Sequence, residues 1–151
     1  MNFLPISLNI ENKKILIVGG GNVALHKATI LSRFTDSAVV VSPVFLPEFD
    51  KLPFKMVRKE FSEDDLNGVF LVYICTGNRE LNAGIKKQCA VRNVLASVCD
   101  DPRSCDFISP AIYKEGNITI SVGSNGENVK RSIRIRDNIR EFVEKNKIKL
   151  D

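Results

Sequence analysis

What this chain lacks narrows what it can be. No apolar run is long enough to cross a bilayer, the longest being segments such as Val69 to Cys75, so no membrane partner is expected. The amino terminus shows no basic start, apolar stretch and small-residue cleavage site, and a cytoplasmic location is the expectation. The four cysteines, Cys75, Cys89, Cys99 and Cys105, include no C-x-x-C pair, which favours reduced, packed thiols over disulfides or zinc and leaves no metal site to assign. The single histidine, His26, falls in a helical stretch beside Lys27 and reads as a surface or packing residue. No G-x-x-x-x-G-K-[ST] occurs, which speaks against a kinase or ATPase.

What is present is a chain of 151 residues with ordinary apolar content, enough for one core and a small appendage. Its net charge of +4 is modest but unevenly placed. Lys130, Arg131, Arg134, Arg136, Arg140, Lys145, Lys147 and Lys149 crowd the last quarter, partly offset by Asp137, Glu141 and Glu144. Such a cluster suits an anionic partner or a solvated helix face. No stacking-aromatic pattern or recognised motif supports nucleic acid.

Lys13 to Val18 is a short, β-branched, nearly all-apolar run, as expected of a strand buried on both faces of a parallel sheet. After Gly19-Gly20-Gly21, apolar residues from Val23 to Phe34 recur at helical spacing. Further strands are expected at 38–41, 55–58, 69–75 and 94–99. Ser62 and Asp65 have the spacing of a capping box, and Asn78 is placed to cap a helix reaching Arg92, with Leu81, Ile85 and Cys89 on its inner face. Strands alternating with helices imply a parallel sheet with ligands at the carboxyl ends of its strands, which puts Gly19, Ser42, Thr76 and Asp100 on one rim.

After Pro102 the pattern changes. Residues 107–113 and 118–122 flank the turn Lys114 to Asn117 as a β-hairpin, and the turn Gly123-Ser124-Asn125-Gly126 leads to a helix over about 128–143. The expected organisation is a Rossmann-like α/β domain over 1–106, followed over 107–151 by a hairpin and helix. An isolated hairpin is marginal in water, so this second part needs something to pack on.

Gly19-x-Gly21-x-x-Ala24 fits the dinucleotide fingerprint in the setting that gives it meaning, directly after a strand and opening a helix. Gly19 permits the tight turn, Gly21 lets the backbone approach a pyrophosphate, and Ala24 lets the helix pack on the strand. The amides near Asn22 and Val23 lie at the positive end of the helix dipole. The second strand ends at Ser42-Pro43 with no Asp or Glu for the adenosine ribose, so NAD and NADP both stay open; Ser42 is a candidate ribose partner.

Several motifs together resemble precorrin-2 dehydrogenases, the amino-terminal module of siroheme synthases. They are Leu4-Pro5-Ile6, the run Val18 to Ala28, Thr76-Gly77-Asn78-Arg79-Glu80-Leu81-Asn82, Val98-Cys99-Asp100-Asp101-Pro102, Phe107-Ile108-Ser109-Pro110-Ala111 and the turn Val122 to Gly126. The resemblance spans essentially the whole chain in order. It implies oxidation of precorrin-2 to sirohydrochlorin with NAD, in a homodimer built on the hairpin and last helix. By position, Asn22 and Val23 would meet the dinucleotide, Pro43 and Val44 its adenosine half, and Thr76 the same cleft. Asp100 matches the family's functional carboxylate, a proposed general base, and Asp101 before Pro reads as the turn former.

The substrate's carboxylates would suit Arg131 and Arg134, with Ser124 as the matching serine of the turn; Asn125 and Glu127 depart from the usual residues there. Many members continue into a further helical module, and because this sequence ends at Asp151, efficient ferrochelatase activity is not expected. The rival expectation is a dinucleotide-sensing regulatory domain, which would keep the glycine turn and need no catalytic carboxylate.

Overall fold

Residues 1–146 and 148 are described by the computed structural model; Lys147 and Lys149 of the basic cluster lie outside the described residues. The chain divides into two compact units, Leu8–Phe107 and a second made of Met1–Ser7 with the chain from Ile108 onward. The first seven residues thus group with the carboxyl-terminal part, where the Phe3 N–H donates to Asn125 Oδ1 at 3.3 Å.

The larger unit is a five-stranded parallel sheet in the order β3-β2-β1-β4-β5. Its strands are β1 (Lys14–Val18), β2 (Ala38–Ser42), β3 (Lys55–Arg58), β4 (Val69–Ile74) and β5 (Leu95–Val98). Helix α1 (Asn22–Leu31) links β1 to β2, and α2 (Arg79–Val91) links β4 to β5. The period of two along β1 sends alternate side chains to opposite faces. Ile15 and Ile17 join Ala24, Ala28 and Leu31 of α1 with Phe45, Phe49 and Phe54, whereas Leu16 and Val18 join Ile85 and Cys89 of α2. A strand with a core on each side needs apolar residues at every position, which is why β1 reads as an unbroken run.

The caps form as their side chains dictate. Asn78 Oδ1 accepts the Leu81 N–H at 3.1 Å, and Asp65 Oδ2 accepts the Ser62 N–H at 2.8 Å over the short helical turn Glu63–Leu66. The face that α2 buries differs from expectation: its buried residues are Asn82, Ile85 and Cys89, while Leu81 is 42% exposed. The cysteines also differ. Cys75 and Cys99 extend the Ile74↔Val98 register by one residue, and with Cα atoms 5.2 Å apart they are brought sulfur to sulfur instead of staying separate thiols. Cys89 and Cys105 are free.

In the second unit, β6 (Ala111–Glu115) pairs antiparallel with β7 (Ile118–Val122), and α3 (Val129–Lys145) packs on both. The first hairpin strand begins at Ala111, not at Phe107, consistent with Pro110 having no N–H for a ladder. Asn125 and Gly126 take the positive φ values, 52° and 78°, that their turn requires. Asn128 Oδ1 caps α3 through the Arg131 N–H at 2.9 Å, and Arg136 Nη1 donates to the Ile112 carbonyl at 3.2 Å, tying helix to hairpin. Among the described residues, no helix is long and apolar enough to cross a membrane.

Candidate dinucleotide site

Three consecutive glycines after β1 have three different surroundings. Gly19 has φ +127°, and a Cβ there would lie 2.4 Å from the Cys75 carbonyl oxygen, so only glycine fits against the end of β4. A Cβ on Gly20 would lie 2.0 Å from the Val44 carbonyl oxygen, and the Leu46 N–H donates to Gly20 O at 3.0 Å. Gly20 therefore clamps the turn to the loop after β2. Sequence reasoning did not single it out, because the fingerprint leaves its position open and the only signal is a third glycine in the run. Gly21 has nothing within 4 Å of its Cβ position.

The helix that follows begins without a side-chain cap, since Gly21 is its N-cap. The first-turn N–H groups, those of Asn22 and Val23 among them, have no acceptor within the helix. The same turn carries no acidic side chain, so the positive end of the dipole is not neutralised locally. Fully buried Ala24 and Ala28 let α1 close onto the sheet. An uncapped helix start beside a residue with open space at its Cβ position fits a dinucleotide pyrophosphate.

The order β2-β1-β4-β5 lines up the other expected residues along one carboxyl edge: Ser42, then Gly19, Thr76 and Asp100. The ladder runs on into this rim, with Gly19 N–H to Val41 O at 2.9 Å, Cys75 N–H to Val18 O at 2.8 Å and Cys99 N–H to Ile74 O at 2.9 Å. Ser42 is only 7% exposed and its hydroxyl donates to the Val44 carbonyl at 2.8 Å, so it shapes the loop from within. Pro43 is exposed and Val44 is 72% exposed beside it.

At the far end of the rim, Thr76 and Asp100 are joined through Asn82, a residue the sequence reading placed only within a motif. Asn82 Nδ2 donates to Asp100 Oδ1 at 3.1 Å and to the Thr76 carbonyl at 3.1 Å, and the Thr76 hydroxyl donates to Asn82 Oδ1. The spacing of Asn82, Ile85 and Cys89 was the available signal; a polar residue at the first place hid it. Exposed Arg79 brings Nε to 3.8 Å from Asp100 Oδ2, a pair open to screening by solvent. Asp101 instead closes the turn Pro102–Ser104, accepting the Arg103 N–H at 3.1 Å and the Ser104 hydroxyl at 2.6 Å. The Ser104 hydroxyl above all holds its carboxyl below the usual range.

Burial first, and neighbouring Lys27 second, lower the pKa of His26, so it is neutral at pH 7. Burial likewise lowers that of Lys27, whose ammonium lies 5.9 Å from the Tyr73 ring centroid, and Tyr73 meets Phe107 edge to face at 5.3 Å.

The expected substrate residues belong to the second unit. The Ser124 hydroxyl oxygen accepts the Asn128 N–H at 3.1 Å, which ties the turn to the start of α3. Arg131 and Arg134, three residues apart on α3, are both exposed. Farther along, Arg136 pairs with Asp137 at 2.8 Å, Arg140 with Asp137 at 3.4 Å, and Lys145 with Glu141 at 3.5 Å. Arg131 and Arg134 have no such ion pair among the described residues, so the cationic character of α3 is concentrated in its first half.

The chain matches, over residues 6–111, the family described as "Putative NAD(P)-binding". It is 31% identical over 147 residues to a siroheme synthase of Pseudoalteromonas translucida, covering 95% of this chain and 31% of the relative. It is 35% identical over 130 residues to a siroheme synthase of Nitrosococcus oceani, covering 83% of this chain and 28% of the relative. The chain thus spans about a third of the length of the curated relatives it matches. Among solved structures it resembles SirC, a precorrin-2 dehydrogenase, with a TM-score of 0.80 at 19% identity, covering 93% of this chain and 70% of that one, which supports the fold. With a glycine turn, a free helix start and a parallel sheet in the order 3-2-1-4-5, and a match over more than half its length, the chain belongs to this NAD(P)-binding family.

Proposed function

We propose that this protein is an NAD-dependent precorrin-2 dehydrogenase of siroheme biosynthesis. The observation that carries the reading is a carboxylate, Asp100, on the same strand-end rim as the glycine turn and hydrogen-bonded through Asn82 to Thr76. The siroheme synthase relatives and the likeness to a precorrin-2 dehydrogenase fold support the choice of substrate.

Oxidising a reduced tetrapyrrole carbon removes a hydride and, from nearby, a proton. When bound, NAD would supply the hydride acceptor. The amides of Asn22 and Val23 would hold its pyrophosphate at the turn of Gly19 and Gly21, Pro43 and Val44 would border the adenosine half next to Ser42, and Thr76 would line the cleft. Asp100 is the general base that takes the proton. Arg131 and Arg134 attract the substrate's acetate and propionate groups as charge-assisted partners, with Ser124 at the turn that starts their helix. A homodimer formed through residues 107–151 buries the apolar side chains α3 exposes, Phe142 at 61% and Ile133 at 40% among them. Iron insertion is not part of the proposed activity.

The test is anaerobic incubation with precorrin-2 and NAD, reading NADH absorbance and the sirohydrochlorin spectrum, then repeating with NADP and with ferrous iron. Turnover that Asp100→Ala abolishes while NAD affinity stays within about twofold is expected. Wild-type protein that binds NAD and never turns over would sink the enzyme reading and leave a dinucleotide sensor.

A further inference from the structure

Beneath the rim lies a side chain to which the proposed chemistry gives no part. Asn82 is 1% exposed, and an amide buried to that degree needs partners for its donors and acceptor. Those partners define which way round it lies. The Thr76 hydroxyl, itself placed by the Asn78 N–H at 3.2 Å, donates to Asn82 Oδ1. Nδ2 donates to the Thr76 carbonyl and to Asp100 Oδ1, each at 3.1 Å. Flipping the amide would set its oxygen against a carbonyl and a carboxylate, acceptor against acceptor, and would cost both bonds. One orientation survives, and it always presents N–H to Asp100. The second oxygen of Asp100 lies 3.8 Å from the exposed Arg79 Nε, while Asp101 next door is turned to Ser104 and the Arg103 backbone.

We propose that Asn82 is a positioning residue for this site: it binds one oxygen of Asp100, leaves the other free to take the substrate's proton, and locks that geometry to Thr76 on the dinucleotide side. The proposal rests on the reading of Asp100 as the base. Its physical basis is geometric. A carboxylate held by a buried donor loses the rotational freedom of an exposed side chain, so the free oxygen is already aimed. Because Asn82 touches neither the reacting carbon nor the dinucleotide in this scheme, it acts through Asp100.

Two variants of the full-length chain test it, compared with wild type and Asp100→Asn by kcat, KM and pH–rate profile. Asn82→Ala is expected to lower kcat about tenfold or more with a smaller change in KM for NAD. Asn82→Asp has the same shape but places a carboxylate where the donor was, so the acid limb of its profile should move upward by about one pH unit. A residue that merely supports the fold would lower the amplitude and leave the limb in place. If Asn82→Ala does not fold, Asn82→Asp carries the test, since at low pH its protonated form can still donate. Asp100→Asn with full activity removes the base and this proposal with it. Loss of activity in Asp100→Asn alongside an unshifted profile in Asn82→Asp overturns the positioning role alone.

Discussion

Replacing each glycine of the turn separates what the fold requires from what a ligand requires. Gly21 has φ −90° and ψ −170°, extended backbone that any residue adopts, and its Cβ position meets nothing within 4 Å. Gly21→Ala should therefore leave the fold intact and change stability by less than about 1 kcal/mol, because the lower entropy of the unfolded chain is offset by the poor standing of alanine at a helix N-cap. For a chain of this size that is a shift in Tm of at most about 4 °C. Gly19→Ala is the opposite case: strain at φ +127° costs about 1–3 kcal/mol, and forcing a Cβ to 2.4 Å from the Cys75 carbonyl oxygen adds about 1–3 kcal/mol of overpacking. Gly20→Ala lacks the φ penalty but meets the Val44 carbonyl oxygen at 2.0 Å, so it should fall between. If a pyrophosphate occupies the space over Gly21, the added methyl group fills it, and NAD affinity should drop about tenfold, or 1.4 kcal/mol, despite the nearly unchanged stability. Thermal melts by circular dichroism and calorimetric NAD titration read the two quantities separately. Unchanged NAD affinity in a stable Gly21→Ala variant would refute the placement of the phosphates, and a loss of stability as large as that of Gly19→Ala would refute the open space itself.

Other consequences are equally measurable. Burial tends to raise the Asp65 carboxyl, but its bonds with Lys59, at 2.7 Å, and with Ser62 outweigh this and leave it below the ordinary carboxylate value. A depressed carboxyl stabilises the fold fully above its unfolded value of about 3.9, and the contribution fades as pH falls through the folded value. Asp65→Ala should accordingly cost about 1 kcal/mol at pH 7 and less in acid, below the ordinary carboxylate value, in denaturant titrations; an equal loss at both would contradict it. Burial above all pushes the Cys89 thiol up to about 11. At pH 8 about one Cys89 in a thousand is thiolate, so iodoacetamide should label Cys105 in the native protein long before Cys89, with mass spectrometry of peptides as the readout.

Wherever a signal is local, this sequence was legible. The capping side chains of Ser62 and Asn78 act within their own turns, and the strand-turn-helix start around Gly19 to Ala24 is a contiguous pattern, so each could be placed without knowing its surroundings. The hairpin was legible for the same reason, apart from Phe107 to Pro110, where the missing N–H outweighed the apolar pattern, and Lys114 and Glu115, expected in the turn but paired in the strand. The site was legible as residues on strand ends, not as a connected arrangement. Gly20 and Asn82 show the limit, because one is defined by the loop after β2 and the other by Thr76 and Asp100, both distant in sequence.

By itself, then, the sequence determined the alternation of strands and helices, the turn that suits a dinucleotide and the ends of most elements. Those depend on dihedral preferences, caps and periodicity, which act over a few residues. Only the tertiary structure decided the strand order 3-2-1-4-5, the adjacency of Cys75 and Cys99, and the choice of Asn82 over Leu81 for the buried face of α2. Each of these follows from which strands pair and in what register. Pairing is a long-range agreement between two buried faces, so no short stretch of the chain carries it.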